Sequence, residues 1–295
     1  MPTVFGIPMA ALFGQVVLGC VNGAFYALLS LGLALIFGLL NVINFAHGAL
    51  YMMGAFAAWL LLGYAGIGYW GSLILAPLIV ALIAGLIERL LLSHLYKLDH
   101  LYGLLLTFGL ALLLEGLFRQ QFGVSGLPYA VPPELQGVWN LGFMILPIYR
   151  GWVVAVSVVV CVSIWALIEK TKLGAILRAA TENPTLLAAF GVNVPLLMTA
   201  TFCLGAALAG LSGVLAAPIY SVNPLMGSNL IIVVFAVVVI GGMGSIMGAV
   251  VTGFALGLIE GLCKVFVPQV TATAVFVIMA IVLLVRPAGL FGKRR

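Results

Sequence analysis

Charge is what this chain has least of. Only 6% of its 295 residues are Asp, Glu, Lys or Arg, 12 of them basic and 7 acidic. About 25% is ordinary in a soluble domain, and so thin a supply cannot cover a water-facing surface. A soluble globular protein is excluded. The first charge of either sign is Glu88, so the N-terminal stretch lacks the basic region of a signal peptide, and its first apolar run is expected to stay as a true span. The four cysteines (Cys20, Cys161, Cys203, Cys263) lie inside apolar runs without metal-ligand spacing, which reads as buried free thiols. The histidines, His47, His94 and His100, are too few and too separated for a metal site.

Enzyme signatures are missing as well. No GxxxxGK[ST] loop exists for binding ATP in the Walker manner, and no HExxH or paired-cysteine motif appears. The cluster GGMGSIMG lacks the preceding strand, the GxGxxG spacing and the later acid of a dinucleotide loop. The expectation is no catalytic residue, no metal and no cofactor. The net charge of +5 is spread between apolar runs, so it is no nucleic-acid footprint.

What the chain has is apolar length. Hydrophobic residues make up 65%, and a helical span needs on the order of 20, which caps the spans at about nine or ten. The long unbroken runs exclude a β-barrel, whose strands are short and alternating. The predicted fold class is all-α, a polytopic membrane bundle of eight or nine helices forming a single transmembrane domain over 1–295. Spans are predicted at 12–37, 45–63, 69–91, 101–121, 151–169, 195–217, 227–243, 245–265 and 270–286. Only glycines separate the seventh from the eighth, so that pair reads either as two full spans or as a broken helix with a re-entrant turn.

Lys and Arg in loops set orientation. One side collects Arg89, Lys97, Lys170, Lys172, Arg178, Arg286, Lys293, Arg294 and Arg295, which is most of the 12 basic residues. That side is expected to be cytoplasmic, with the C-terminus inside and the N-terminus outside. The Pro- and Gly-rich loop 122–150, with Trp139 and Tyr149, is then external, and 170–194 is internal.

Four patterns are candidates for function. Glu115 with Arg119 and Glu260 with Lys264 are acid-first pairs four residues apart, favourable on a helix; a structural pair with a snorkelling base is preferred over an ion relay. Gln15, Gly19, Asn22, Gly23, Tyr26 and Ser30 share one helix face, for packing or for lining a pathway. Gly205, Ala209 and Gly213, like Gly253, Gly257 and Gly261, repeat every four residues and read as packing ladders. Asn41, Asn44 and His47 interrupt apolar sequence and need partners at membrane depth. They mark either a broken helix beside a solute pathway or a short polar turn.

The internal loop EKTKLGAILRAATENPTLLAAFGVNVP offers a helical piece from about Leu173 to Thr181. A second begins at Asn183-Pro184 and ends near Gly191, a natural cap. It suits docking of a soluble partner, or it is a solvated connector.

At these segments the chain resembles the LivH family, the permease subunits of branched-chain (hydrophobic) amino acid ABC importers. The landmarks are GLALIFGLLNVINFAHGALYMMGAF, RAATENPTLLAAFGVN, GGMGSIMGAVVTG and RPAGLFGKRR, and the resemblance covers essentially the whole chain. It implies an inner-membrane importer assembled from parts: a periplasmic substrate-binding protein, a LivM-like second permease and two cytoplasmic ABC ATPases, embedded in membrane lipid. It also implies that 170–194 is the EAA-like coupling segment, its triplet present as Arg178-Ala179-Ala180 and followed by Glu182, Asn183 and Gly191. The candidate pathway or gate residues are Asn41, Asn44, His47, Gln15 and Asn22. Two alternatives remain: a urea or short-chain amide permease of the same family, and a self-contained channel or secondary carrier.

Overall fold

The computed structural model describes residues 3–4, 7–40, 42–96 and 98–292. Eleven α-helices follow one another along them: α1 Met9–Leu40, α2 Ala46–Ala65, α3 Tyr69–Leu90, α4 His100–Phe122, α5 Ile148–Lys170, α6 Lys172–Glu182, α7 Pro184–Ala189, α8 Val194–Tyr220, α9 Met226–Gly241, α10 Ile246–Phe266 and α11 Thr271–Val285. Among the described residues, eight helices are long and apolar enough to cross a membrane. The run 227–265 resolves into a short helix and a long one. At 1.5 Å per residue, α9 with 16 residues is a shorter apolar helix than α10 with 21.

Polar side chains start several helices where the apolar pattern alone would not. Asp99 Oδ1 accepts the Leu101 N–H at 2.9 Å, Asn183 Oδ1 that of Leu186 at 2.9 Å and Asn193 Oδ1 that of Leu196 at 3.1 Å. Ser245 Oγ does the same for Gly248 at 3.1 Å. Each satisfies one of the donors that a helix N-terminus leaves without an intrahelical partner.

The chain divides into two compact units. The first comprises residues 1–30, 131–162 and 233–295. Within it the polar and glycine face of α1 lies against α10. A Cβ on Gly19 would fall 2.7 Å from the carbonyl oxygen of Gly257, and one on Gly253 would fall 2.5 Å from the Ala27 nitrogen. The backbones meet because glycine leaves room. Ser30 Oγ donates to the Ala249 carbonyl at 3.3 Å, and Tyr26 Oη to Glu260 Oε2 at 2.6 Å. Glu260 also receives Lys264 at 2.7 Å, so this acid is held structurally from two sides.

Also in this unit, Val138–Asn140 pairs antiparallel with Ile145–Pro147. Beyond α11, residues 286–292 fold back onto the end of α9. The N–H groups of Leu290 and Phe291 donate to the Ile240 and Gly241 carbonyls at 2.8 and 3.0 Å. Those carbonyls would otherwise be orphans of the helix C-terminus. Gly242 makes the turn with φ of 103°, and a Cβ there would sit 2.5 Å from the Gly292 nitrogen; only glycine serves both demands.

The second unit comprises residues 31–130 and 163–232, and α2, α3 and α8 form its centre. The ladder on α8 is a packing device. Gly205 opposes Gly32 of α1 and Gly213 meets the Tyr51 carbonyl of α2, while Gly210, outside the ladder, lies on Pro77 and Val80 of α3. Phe56 of α2 packs on Phe118 and Phe122 of α4, ring centroids 4.7 and 5.0 Å apart.

Candidate functional site

Two places in the second unit carry polar groups that packing alone does not require. The first is the break between α1 and α2. Residues 42–45 are not regular helix, and Thr107 of α4 holds them: its Oγ1 accepts the Phe45 N–H at 3.2 Å and donates to the Ile43 carbonyl at 3.1 Å. A single hydroxyl thus serves backbone groups of the break that the bilayer could not. Asn44 and His47 are both wholly buried. Among the described residues neither the oxygen nor the nitrogen of the Asn44 carboxamide has a partner, a costly arrangement in an apolar interior. The His47 ring lies against Gly32, where a Cβ would come within 3.0 Å of Cε1. Asn41 lies outside the described residues.

Immediately beyond the break α2 runs past the first turns of α9, Gly48 opposing Gly227. Beside that crossing is a cavity enclosing about 440 Å³ of empty space, its open mouth included. Phe45, Met52, Phe108 and Ile231 contribute apolar wall, and Glu115 is its one ionisable group. Arg119 lies 3.3 Å from that carboxylate. Gln15 and Asn22 belong to α1 in the other unit, half-buried and on the face that packs on α10.

The second place is the helix pair α6–α7. α6 is amphipathic, with Gly174 and Ala180 buried and Leu173 exposed. Arg178 reaches back to the end of α5, donating to the Ile168 carbonyl at 2.6 Å and pairing with Glu169 at 3.2 Å. Glu182 ends α6 on the surface, Asn183 caps α7, and Gly191 follows it with φ of 84°. Leu186 and Phe190 project from the second helix, Phe190 78% exposed. Arg178 and Asn183 therefore shape the segment, while Glu182, Leu186 and Phe190 are offered at its surface.

One buried group escapes the sequence patterns. Glu88 of α3 is 1% exposed, and its carboxylate accepts Tyr96 Oη at 2.8 Å and Thr199 Oγ1 of α8 at 2.7 Å. Burial first, and then the Glu88 carboxylate, push the Tyr96 phenol well above its ordinary pKa, so it stays a donor. The available signal was a lone acid in an apolar helix, an intramembrane charge being a candidate for function by default. Among the described residues no three His, Cys, Asp or Glu side chains gather to hold a metal ion.

A chain of apolar helices, eight of them long enough to cross a bilayer, with backbone breaks and buried polar groups, is a multi-pass membrane protein of the kind that builds transport pathways. Residues 15–286 match the family described as branched-chain amino acid transport system, permease component; the chain belongs to that family. It is 27% identical over 290 residues to the high-affinity branched-chain amino acid transport system permease protein LivH of Escherichia coli, covering 93% of this chain and 94% of that one. It is 30% identical over 292 residues to the corresponding permease protein BraD of Pseudomonas aeruginosa, covering 95% of each. To the probable branched-chain amino acid transport permease protein LivH of Methanocaldococcus jannaschii it is 30% identical over 282 residues, 90% of this chain and 88% of that one. No solved structure matches it significantly.

Proposed function

We propose that the chain is the transmembrane permease subunit of an ABC importer for branched-chain or other small apolar amino acids, a single permease domain over 1–295. The observation that carries this reading is the family match from residue 15 to 286, together with relatives matched over more than nine-tenths of both chains. No bond chemistry falls to this chain; ATP hydrolysis belongs to two cytoplasmic ATPases. A LivM-like permease completes the pathway and a periplasmic binding protein delivers the solute. The setting is the bacterial inner membrane, with the C-terminus cytoplasmic by the distribution of Lys and Arg.

Within this reading Asn41, Asn44 and His47 serve the pathway or its gate, as do Gln15 and Asn22 on α1. Arg178, Glu182, Asn183 and Gly191 belong to the segment that meets an ATPase. Support comes from chemistry. A buried carboxamide without described partners is affordable where solute or water visits it, and a short, exposed, amphipathic helix pair suits transient docking to a soluble surface.

The test is isolation of the chain from its native membrane in mild detergent, then reconstitution into vesicles. Two ATPases and a second permease should accompany it, and the vesicles should take up leucine only with ATP and binding protein. Recovery of the chain alone, conducting solute without ATP, refutes the proposal in favour of a channel or carrier.

A further inference from the structure

Resting on that reading, we propose that the cavity between α2, α4 and the first turns of α9 is a binding subsite for a zwitterionic amino acid with an aliphatic side chain. The side chain lies between Met52, Ile231 and Phe108, and the ammonium group rests on Glu115. An importer permease is thereby a second filter for its solute, after the binding protein.

The first ground is the wall. All but two of the residues around the cavity are apolar or glycine, the exceptions being Glu115 and Ser228. The Ser228 hydroxyl is already committed to the Leu225 carbonyl at 3.0 Å. A mostly apolar pocket with very few polar groups is the composition of small-molecule sites. Met52 and Ile231 are buried behind its surface, so their packing is already fixed by the fold. Ala111 and the Gly48–Gly227 crossing leave the room that larger side chains would fill.

The second ground is charge. A carboxylate on the edge of an apolar cavity at membrane depth is expensive unless a cation meets it. Arg119 does so only in part, at 3.3 Å and with 48% of its side chain exposed. Glu115 lines the cavity while Arg119 lies outside its lining, so the carboxylate can meet a second cation from the cavity side. A neutral urea or amide can donate a hydrogen bond to Glu115 but brings neither a counter-charge nor an aliphatic group for the wall. An aliphatic zwitterion uses the wall and the Glu115 charge.

The third ground is position. Phe45 at the edge of the cavity is the residue that Thr107 pins at the α1–α2 break, and it directly follows Asn44, whose buried carboxamide has no described partner. The cavity and the polar break adjoin one another through Phe45.

The experiment uses the whole complex in vesicles with one and the same binding protein, and compares ATP-driven uptake of leucine and alanine. An added carbon in an apolar pocket is worth roughly tenfold or more in discrimination. Ala111→Leu should therefore lower leucine uptake about tenfold relative to alanine, and Met52→Ala should move the ratio the other way. Glu115→Gln should lower uptake of both about tenfold, with the leucine-to-alanine ratio unchanged. An unchanged ratio in both size variants overturns the subsite, and so does an equal loss of both solutes, the result expected if a lipid chain fills the groove. If Ala111→Leu does not assemble, Met52→Ala alone decides. Absence of ATP-driven uptake in the unaltered complex would instead strike the importer reading itself.

Discussion

The contact between α1 and α10 makes a prediction whose sign depends on where a glycine stands. Gly253→Ala adds one methyl group 2.5 Å from the nitrogen and 2.6 Å from the Cα of Ala27. Carbon atoms rest about 3.5–4.0 Å apart, so the helices must separate by about 1 Å. Ala27 offers backbone there, which cannot rotate away. Overpacking of this kind costs about 1–3 kcal/mol, and the immovable neighbour puts this site at the upper end. The gain in helix propensity, about 0.8–1.0 kcal/mol, offsets part of it, leaving a net loss of about 2 kcal/mol. Separation would also stretch the bonds from Ser30 to Ala249 and from Tyr26 to Glu260, which lie along the same face. Gly109→Ala is the control: nothing lies within 4 Å of a Cβ at that point of α4, so the propensity gain stands alone. Thermal unfolding of the purified protein in detergent should show a lower midpoint for Gly253→Ala and an equal or higher one for Gly109→Ala. Equal shifts in the two variants, or a stable Gly253→Ala, would refute the argument that backbone contact explains the ladder.

Three further outcomes are expected. Tyr96→Phe deletes a hydroxyl donor to the buried Glu88 carboxylate and should destabilise by about 1.5–3 kcal/mol, the worth of a hydrogen bond to a charged group; an unchanged unfolding midpoint counts against that role. Gly289→Ala places a Cβ 2.5 Å from the Gly242 Cα at a residue with φ of 78°, so limited proteolysis should cut the segment after α11 faster than in the parent. Asn44→Leu removes two buried polar atoms without described partners and should raise stability by about 1–3 kcal/mol while lowering transport; a variant that transports normally removes Asn44 from the pathway.

Much of the helical order was legible because the bilayer leaves few choices. Apolar runs of about 20 residues and loops marked by Pro, Gly and charge predict the spans from Met9–Leu40 to Thr271–Val285 within a few residues. The piece expected at Leu173–Thr181 is α6 at Lys172–Glu182, because Thr171 caps it and Asn183 opens the next helix. The ladders were legible too, since close approach of helices needs small residues at that spacing. Less legible were pairings across long separations. Nothing near Glu88 in sequence points to Thr199, and the single hydroxyl of Thr107 gives no hint that it fastens the break at Ile43 and Phe45. The cavity, too, is assembled from three helices distant in sequence. Periodicity reports which face of a helix is apolar, not which partner covers it.

The two hydrogen bonds from Leu290 and Phe291 to the end of α9 put a clock on the making of this protein. α9 emerges from the ribosome with its final carbonyls exposed, and the groups that satisfy them are not yet synthesised. Until residues 290 and 291 follow, that helix end depends on water, on lipid headgroups or on the insertion machinery. The first unit therefore closes late, joined by its earliest and its latest strands of sequence. A chain stopped short of residue 290 would contain every long apolar helix of the described residues and still leave the end of α9 without these two donors.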